Sequence, residues 1–332
     1  MALDCIEVFD SLALDALKKY GMEKTCQTRL LQISENITYL VENKDTLARE
    51  AVLRISRPGY HTIEELRDEI IWLKEIKNYT PIIVADPVKG RDGSYVQIIS
   101  SWLTNSTYAC VMYEFLAGSA PDENDEQEVV KQFTDLGATT AYLHRQAKMW
   151  NNAGNLNRFT WNYETMIGDN AKWGSWKEAA DLTLDAKRLL ERTSEVIKKR
   201  LDAYGITRER FGLIHADLRL ANLLIEDDQI KVIDFDDCGF GWFLHDLASA
   251  VSFVETKPIT PDLIASWLEG YSKVERLTQE DLAEIDTFVM QRRLQLLAWI
   301  TSHFDSDPVK ELSLGFTEGT AMLAERYLTK FA

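Results

Sequence analysis

His215, Asp217, Asn222 and Asp234 stand close together in one stretch, Gly212–Ala248, and their types are those of a reactive site. Asn222 and Asp234 offer a carboxamide and a carboxylate, hard oxygen donors suited to a cation such as Mg2+. Asp217 can orient an attacking hydroxyl and receive its proton. A metal-holding pair beside a hydroxyl-orienting carboxylate is what phosphoryl transfer needs, because that reaction is mostly positioning and charge neutralisation. Taken singly, the same residue types are common in turns and caps. Their joint order argues against that plainer reading: D-x-x-x-x-N, then two apolar runs, then D-F-D.

The apolar runs Leu223–Ile225 and Lys231–Ile233 predict a hairpin, with Glu226–Gln229 as its turn and Asp227 and Asp228 at the tip. A hairpin brings its open ends together, which would set Asn222 beside Asp234 with Asp217 on the loop above. Around this core the chain changes character once. The first ~115 residues read as strands by alternation and β-branched content. The candidates are Thr28–Ile33, Ile37–Glu42, Glu50–Ser56, Pro81–Ala85, Tyr95–Ser100 and Tyr108–Phe115. A helix from Thr62 to about Lys77 interrupts them, with Ile63, Leu66, Ile70, Leu73 and Ile76 on one face. Beyond Gly118 the pattern turns helical. Val129, Phe133, Leu136, Thr140 and Leu143 share a face, and Leu182–Tyr204, Asp262–Lys273, Gln279–Phe304 and Val309–Phe331 read as further helices. The Trp-, Asn- and Gly-rich stretch 151–180 reads as an irregular insertion. The expected fold is α+β. A small antiparallel β-rich lobe with one helix (1–116) is joined near Glu114–Gly118 to a larger, mainly helical lobe (117–332).

The motif, with H-A-D in place of H-R-D and D-F-D in place of D-F-G, resembles the aminoglycoside phosphotransferase-like kinases. The flank I-D-F-D-D-C-G-F-G-W-F-L-H-D-L-A is most similar to the type II homoserine kinase and bacterial stress-response kinase branch. The resemblance implies a protein-kinase-like two-lobe fold, ATP and Mg2+ as cofactors, and a small-molecule hydroxyl acceptor. It implies that His215 and Asp246 brace the loop rather than react. Arg54, in the strand Ala51–Ile55, stands where the family places its phosphate-binding lysine, and two parallel N–H groups suit that task. An exposed arginine on an alternating strand would read the same way. Glu69 borders the apolar face of the predicted helix and needs a cation, for which Arg54 is the candidate; Glu64, Asp68 and Glu75 fall on a solvated face. The phosphate loop would be Ile33–Asn36, with Ser34 and Asn36 as donors; it lacks the glycine usual in the family. Glu114 and Leu116 belong to the segment whose backbone would bind adenine. On the acceptor side stand Arg219, Asp236, Arg292 and Trp299. Arg292, Trp299 and His303 share a helix face that would suit a substrate carboxylate, and would equally suit a helix packed on the core with its arginines solvated.

Other features narrow the function classes. A formal net charge of −16 argues against binding a phosphate backbone; it fits solubility alone, or a cationic substrate. The four cysteines form no C-x-x-C pair, so neither a disulfide framework nor a zinc site is expected. The acidic residues within Met1–Tyr20 do not fit a signal peptide, and no run is long enough to span a membrane, so a cytoplasmic location is expected. No G-x-x-x-x-G-K-[ST] is present. Two rival readings remain: a protein Ser/Thr kinase, against which Asp234 runs to Asp246 within twelve residues and leaves no room for a long peptide-docking loop, and a nucleotide-binding pseudokinase.

Overall fold

The computed structural model describes residues 3–33, 36–101, 103–122, 125–227, 229–304 and 307–332. The chain forms two compact units. One holds Met1–Ser119, Leu156–Arg158 and Leu224–Ile233; the other holds Ala120–Asn155, Phe159–Leu223 and Asp234–Ala332.

The first unit runs α1 (Leu3–Tyr20), β1 (Cys26–Ile33), β2 (Asn36–Asn43), β3 (Arg49–Ser56), α2 (Ile63–Tyr79), β4 (Ile83–Val84), β5 (Val96–Ser101) and β6 (Ser106–Glu114). Five strands make an antiparallel sheet in the order β1-β2-β3-β6-β5. Alternation assigns its faces. Ile37, Tyr39 and Val41 of β2, Leu53 and Ile55 of β3, and Cys110 and Met112 of β6 form one buried cluster with Leu12, Ala13, Ala16 and Leu17 of α1. Arg54, between Leu53 and Ile55, therefore points to the opposite face. The helix α1 lies outside the strand pattern expected for this region and covers one side of its sheet. Thr62 starts α2 through a capping box: its Oγ1 accepts from the Glu65 N–H at 3.1 Å, and Glu65 Oε2 accepts from the Thr62 N–H at 2.7 Å.

The strand expected at Pro81–Ala85 is only the short β4, and it does not join the five-stranded sheet. It pairs in parallel with β10 (Gln229–Val232), which lies beside β9 (Leu223–Glu226) in a second, three-stranded sheet. Those two strands are the arms of the predicted hairpin. Asp227 in the turn has φ 50°, and Asp228 lies outside the described residues.

The second unit contains α3 (Glu126–Met149), β7 (Thr160–Trp161), α4 (Tyr163–Met166), α5 (Leu184–Tyr204), β8 (Phe211–Ile214), β11 (Gly239–Trp242), α6 (Leu244–Ala250), α7 (Thr260–Ser272), α8 (Gln279–Ser302), α9 (Asp307–Ser313) and α10 (Phe316–Phe331). Glycine brings α3 and α7 together. A Cβ on Gly137 would lie 2.0 Å from the Trp267 carbonyl oxygen, and one on Gly270 would lie 1.7 Å from that of Thr134. The single helix expected over Val309–Phe331 is two, because Gly315 takes φ 69° between α9 and α10. Among the described residues, no helix is long and apolar enough to cross a membrane.

Candidate active site

In the second unit the loop after β8 carries His215, Ala216 and Asp217, and its backbone is held in an unusual shape. Ala216 has φ 68°, a left-handed conformation that costs a non-glycine residue free energy. Both of its backbone groups are tied down. Its N–H donates to Asp246 Oδ1 at 2.8 Å, and its carbonyl accepts from Ser249 Oγ at 2.8 Å. The His215 N–H donates to Asp246 Oδ2 at 3.1 Å. Asp246, on α6, is fully buried and also meets His144 Nε2 at 3.0 Å; His144 Nδ1 lies 3.1 Å from the Tyr271 hydroxyl. Burial alone would push the Asp246 carboxyl up, but His144 and the other histidines around it pull it below the ordinary carboxylate range. Burial pushes His144 down, so its ring is neutral. Nε2–H then donates to Asp246 and Nδ1 accepts from Tyr271.

This frame presents Asp217, whose side chain is 21% exposed. Its Oδ2 accepts from Asn222 Nδ2 at 2.9 Å and from Arg219 Nε at 3.3 Å. Its Oδ1 accepts from Arg292 Nη2 at 2.7 Å. Burial raises the carboxyl, but Arg219 and Arg292 outweigh that and hold it below the ordinary range, so it is ionised at neutral pH. The second donor bond of Asn222 Nδ2 goes to the Asp217 carbonyl at 2.9 Å, which leaves Asn222 Oδ1 as the atom it can offer a cation. Asp234 follows β10 with an exposed side chain and φ 62°, a third left-handed non-glycine residue in this stretch after Ala216 and Asp227. A carboxamide oxygen and an exposed carboxylate are hard donors of the kind Mg2+ takes.

The acceptor-side candidates fall in two places. Arg219 lies over the Phe253 ring at 5.7 Å, and Phe253 meets Trp299 edge-on at 6.1 Å. Trp299 in turn stacks on His303. Arg292 is 2% exposed and faces Asp217, and Asp236 is also buried. The alternative of solvated arginines on α8 is overturned for both Arg292 and Arg293. Arg293 is 3% exposed and pairs with Glu255 at 2.7 Å. His245 is a core residue.

The first unit has its own buried charge assembly. Arg54 Nη2 donates to Glu69 Oε2 at 2.6 Å, and Tyr113 Oη donates to Glu69 Oε1 at 2.7 Å. Arg158 brings a second guanidinium to within 3.9 Å of Glu69 Oε2 and donates to the Glu65 carbonyl at 2.9 Å. Asp68, expected on a solvated face, is buried instead. The segment Leu156–Arg158 covers it, and Asp68 Oδ2 accepts from the Asn157 N–H and Nδ2 at 2.5 and 3.0 Å. Nothing in local periodicity announces Asn157, Arg158 or Tyr113 as members of this group. Asn36 is buried, with Oδ1 unpartnered among the described residues. Ser34 lies outside the described residues. Glu114 ends β6 with an exposed side chain and donates its N–H to the Asp86 carbonyl at 2.8 Å; Leu116 is half-buried beyond it.

Comparison with known proteins gives a family and several relatives. The family model described as a phosphotransferase enzyme family matches residues 28–288. A microcompartment-associated aminopropanol kinase of known structure is 37% identical. The match covers 96% of this chain and 97% of that one, with a TM-score of 0.87. An amicoumacin kinase from Bacillus subtilis (strain 168) is 23% identical over 326 residues, 92% of this chain and 90% of its own. A second amicoumacin kinase, solved in complex with AMP-PNP, Ca2+ and Ami, is 21% identical, with a TM-score of 0.76. That match covers 97% of this chain and 96% of the other, and at this identity the likeness is one of fold.

Proposed function

Since the chain belongs to the phosphotransferase enzyme family, we propose that it moves the γ-phosphoryl group of ATP, with Mg2+, onto the hydroxyl of a small amino alcohol. The observation that carries this reading is the held yet open carboxylate of Asp217, ionised and presented from a loop whose every polar backbone group at Ala216 is tied down. An acceptor hydroxyl donates to this carboxylate. Asp217 is a weak base, so it orients the hydroxyl first and takes the proton late, as the new P–O bond makes that proton acidic. Asn222 Oδ1 and Asp234 would hold Mg2+, which would supply neutralisation of charge on the phosphate oxygens. His215 and Asp246 hold the loop and transfer no proton.

On the nucleotide side, Arg54 faces the phosphates with Glu69 fixing its guanidinium. Ser34 and Asn36 donate to them, and the backbone of Glu114–Leu116 binds adenine. Arg219, Asp236 and Trp299 line the acceptor's place. The amino alcohol class rests on the 37% identical aminopropanol kinase, and the acidic charge of −16 suits an ammonium group. Against a protein acceptor stands the use of Gly239–Trp242 as a paired strand, which leaves little free chain between Asp234 and Asp246 for docking a peptide. The test is ADP formation from Mg-ATP with aminopropanol, choline, homoserine and an aminoglycoside. Turnover on a generic protein substrate, with none on the small alcohols, would sink the reading.

A further inference from the structure

We propose that Arg292 is the positioning residue of Asp217: a buried guanidinium that fixes the plane of the reacting carboxylate without touching either substrate. The inference rests on the phosphotransfer reading above. Arg292 sits on α8, 75 residues from Asp217 in sequence, and is 2% exposed. Each of its nitrogens has its own partner. Nη2 donates to Asp217 Oδ1 at 2.7 Å, Nε to Ser252 Oγ at 3.2 Å, and Nη1 to Gln295 Oε1 at 3.2 Å. The Trp173 ring lies 5.2 Å from its central carbon. A planar fork held at three points and against a ring cannot rotate, so it transmits its orientation to the carboxylate it binds.

Fixing the carboxylate decides which of its lone pairs can meet the acceptor. A carboxylate has about four acceptor directions. Arg219 and Asn222 occupy Oδ2, and Arg292 occupies one direction of Oδ1. The direction left open is the second one on Oδ1, and that is where an acceptor hydroxyl can bond. Of the two guanidiniums, Arg219 is 36% exposed and its bond is the longer at 3.3 Å, so the rigid reference is Arg292. At 2% exposure, and with a protein partner on each of its three nitrogens, Arg292 is placed to serve Asp217 rather than a substrate carboxylate. Its pairing with Asp217 offsets part of the cost of burying the cation.

The experiment is a kinetic double-mutant cycle on the full chain. It measures ADP release from Mg-ATP, with aminopropanol and with water as the only acceptor, for Arg292→Met, Asp217→Asn and the pair. Arg292→Met should cut kcat about 100-fold, the scale of an ångström-sized misplacement, with KM for Mg-ATP within about twofold of wild type. In the Asp217→Asn background the same change should cost less than about threefold, because a residue acting through Asp217 has nothing left to act on. Two milder variants keep the proposal exposed should Arg292→Met not fold. Arg292→Lys keeps the charge but not the fork and should lose most of the rate. Gln295→Leu frees one arm of the guanidinium and should lose about fivefold in kcat. Unchanged kcat in folded variants overturns the proposal. So do losses that multiply fully in the double mutant, or a rise confined to the KM of aminopropanol, which would place Arg292 on the acceptor. A wild-type chain that releases no ADP under either condition defeats the phosphotransfer reading itself, and this inference with it.

Discussion

Two of the buried arginine–carboxylate pairs among the described residues, Arg54–Glu69 in one unit and Arg292–Asp217 in the other, differ in what they leave open. At Arg54–Glu69 the side chains are 8% and 1% exposed, and the carboxylate is closed on both oxygens by Arg54 and Tyr113, with Arg158 behind. At Arg292–Asp217 the guanidinium side chain is equally buried, at 2%, but the carboxylate is 21% exposed. Glu69 is therefore placed to fix a cation, whereas Asp217 is placed to meet something that comes and goes. One chemical motif serves two purposes, and the exposure of the carboxylate separates them.

Substitution should bring out that difference as opposite rank orders in rate and stability. Asp217→Asn removes the charge that meets the acceptor. Its kcat should fall about 10³-fold or more while nucleotide binding persists, as read by steady-state ADP release and by titration with ADP. Glu69→Gln should do the reverse. It leaves two buried guanidiniums facing a neutral amide and should cost about 3 kcal/mol of stability, seen in chemical unfolding, with a smaller loss of kcat. If Glu69→Gln proved as silent in stability as a surface change, the contrast would collapse. The smallest effect concerns pH. His144 has a folded pKa below its unfolded one, so the unfolded chain takes up a proton first and stability falls as pH drops below about 6.5. Asp246 is also depressed when folded, so its contribution is present above the ordinary carboxylate range and is lost as pH falls through its folded pKa. Both act in the same direction. His144→Phe should flatten the upper part of that acid slope, and an unchanged slope would remove His144 from the account.

What could be read in the sequence follows from how local each feature is. The hairpin, the D-x-x-x-x-N spacing and the strands of the first unit are local patterns, and the fold class follows from them. Glu69 was legible because its helical neighbours Leu66 and Leu73 marked the buried side. Asp68 was misplaced because the segment that buries it lies 89 residues further on. The pairing of Arg292 with Asp217 and that of His144 with Asp246 span 75 and 102 residues. Periodicity says which side of a helix is buried, but it does not say against what. The helix α1 is hidden from local pattern for a related reason: its partner is the face of a sheet made by later strands.

Transfer of a phosphoryl group to a small hydroxyl can be followed by phosphorus NMR. Wild-type chain, Mg-ATP and aminopropanol should yield ADP and a phosphomonoester of the alcohol in equal amounts. Asp217→Asn or chelation of the metal should suppress both products. Consumption of ATP to ADP and inorganic phosphate alone, or no consumption with any alcohol of the panel, would contradict the account.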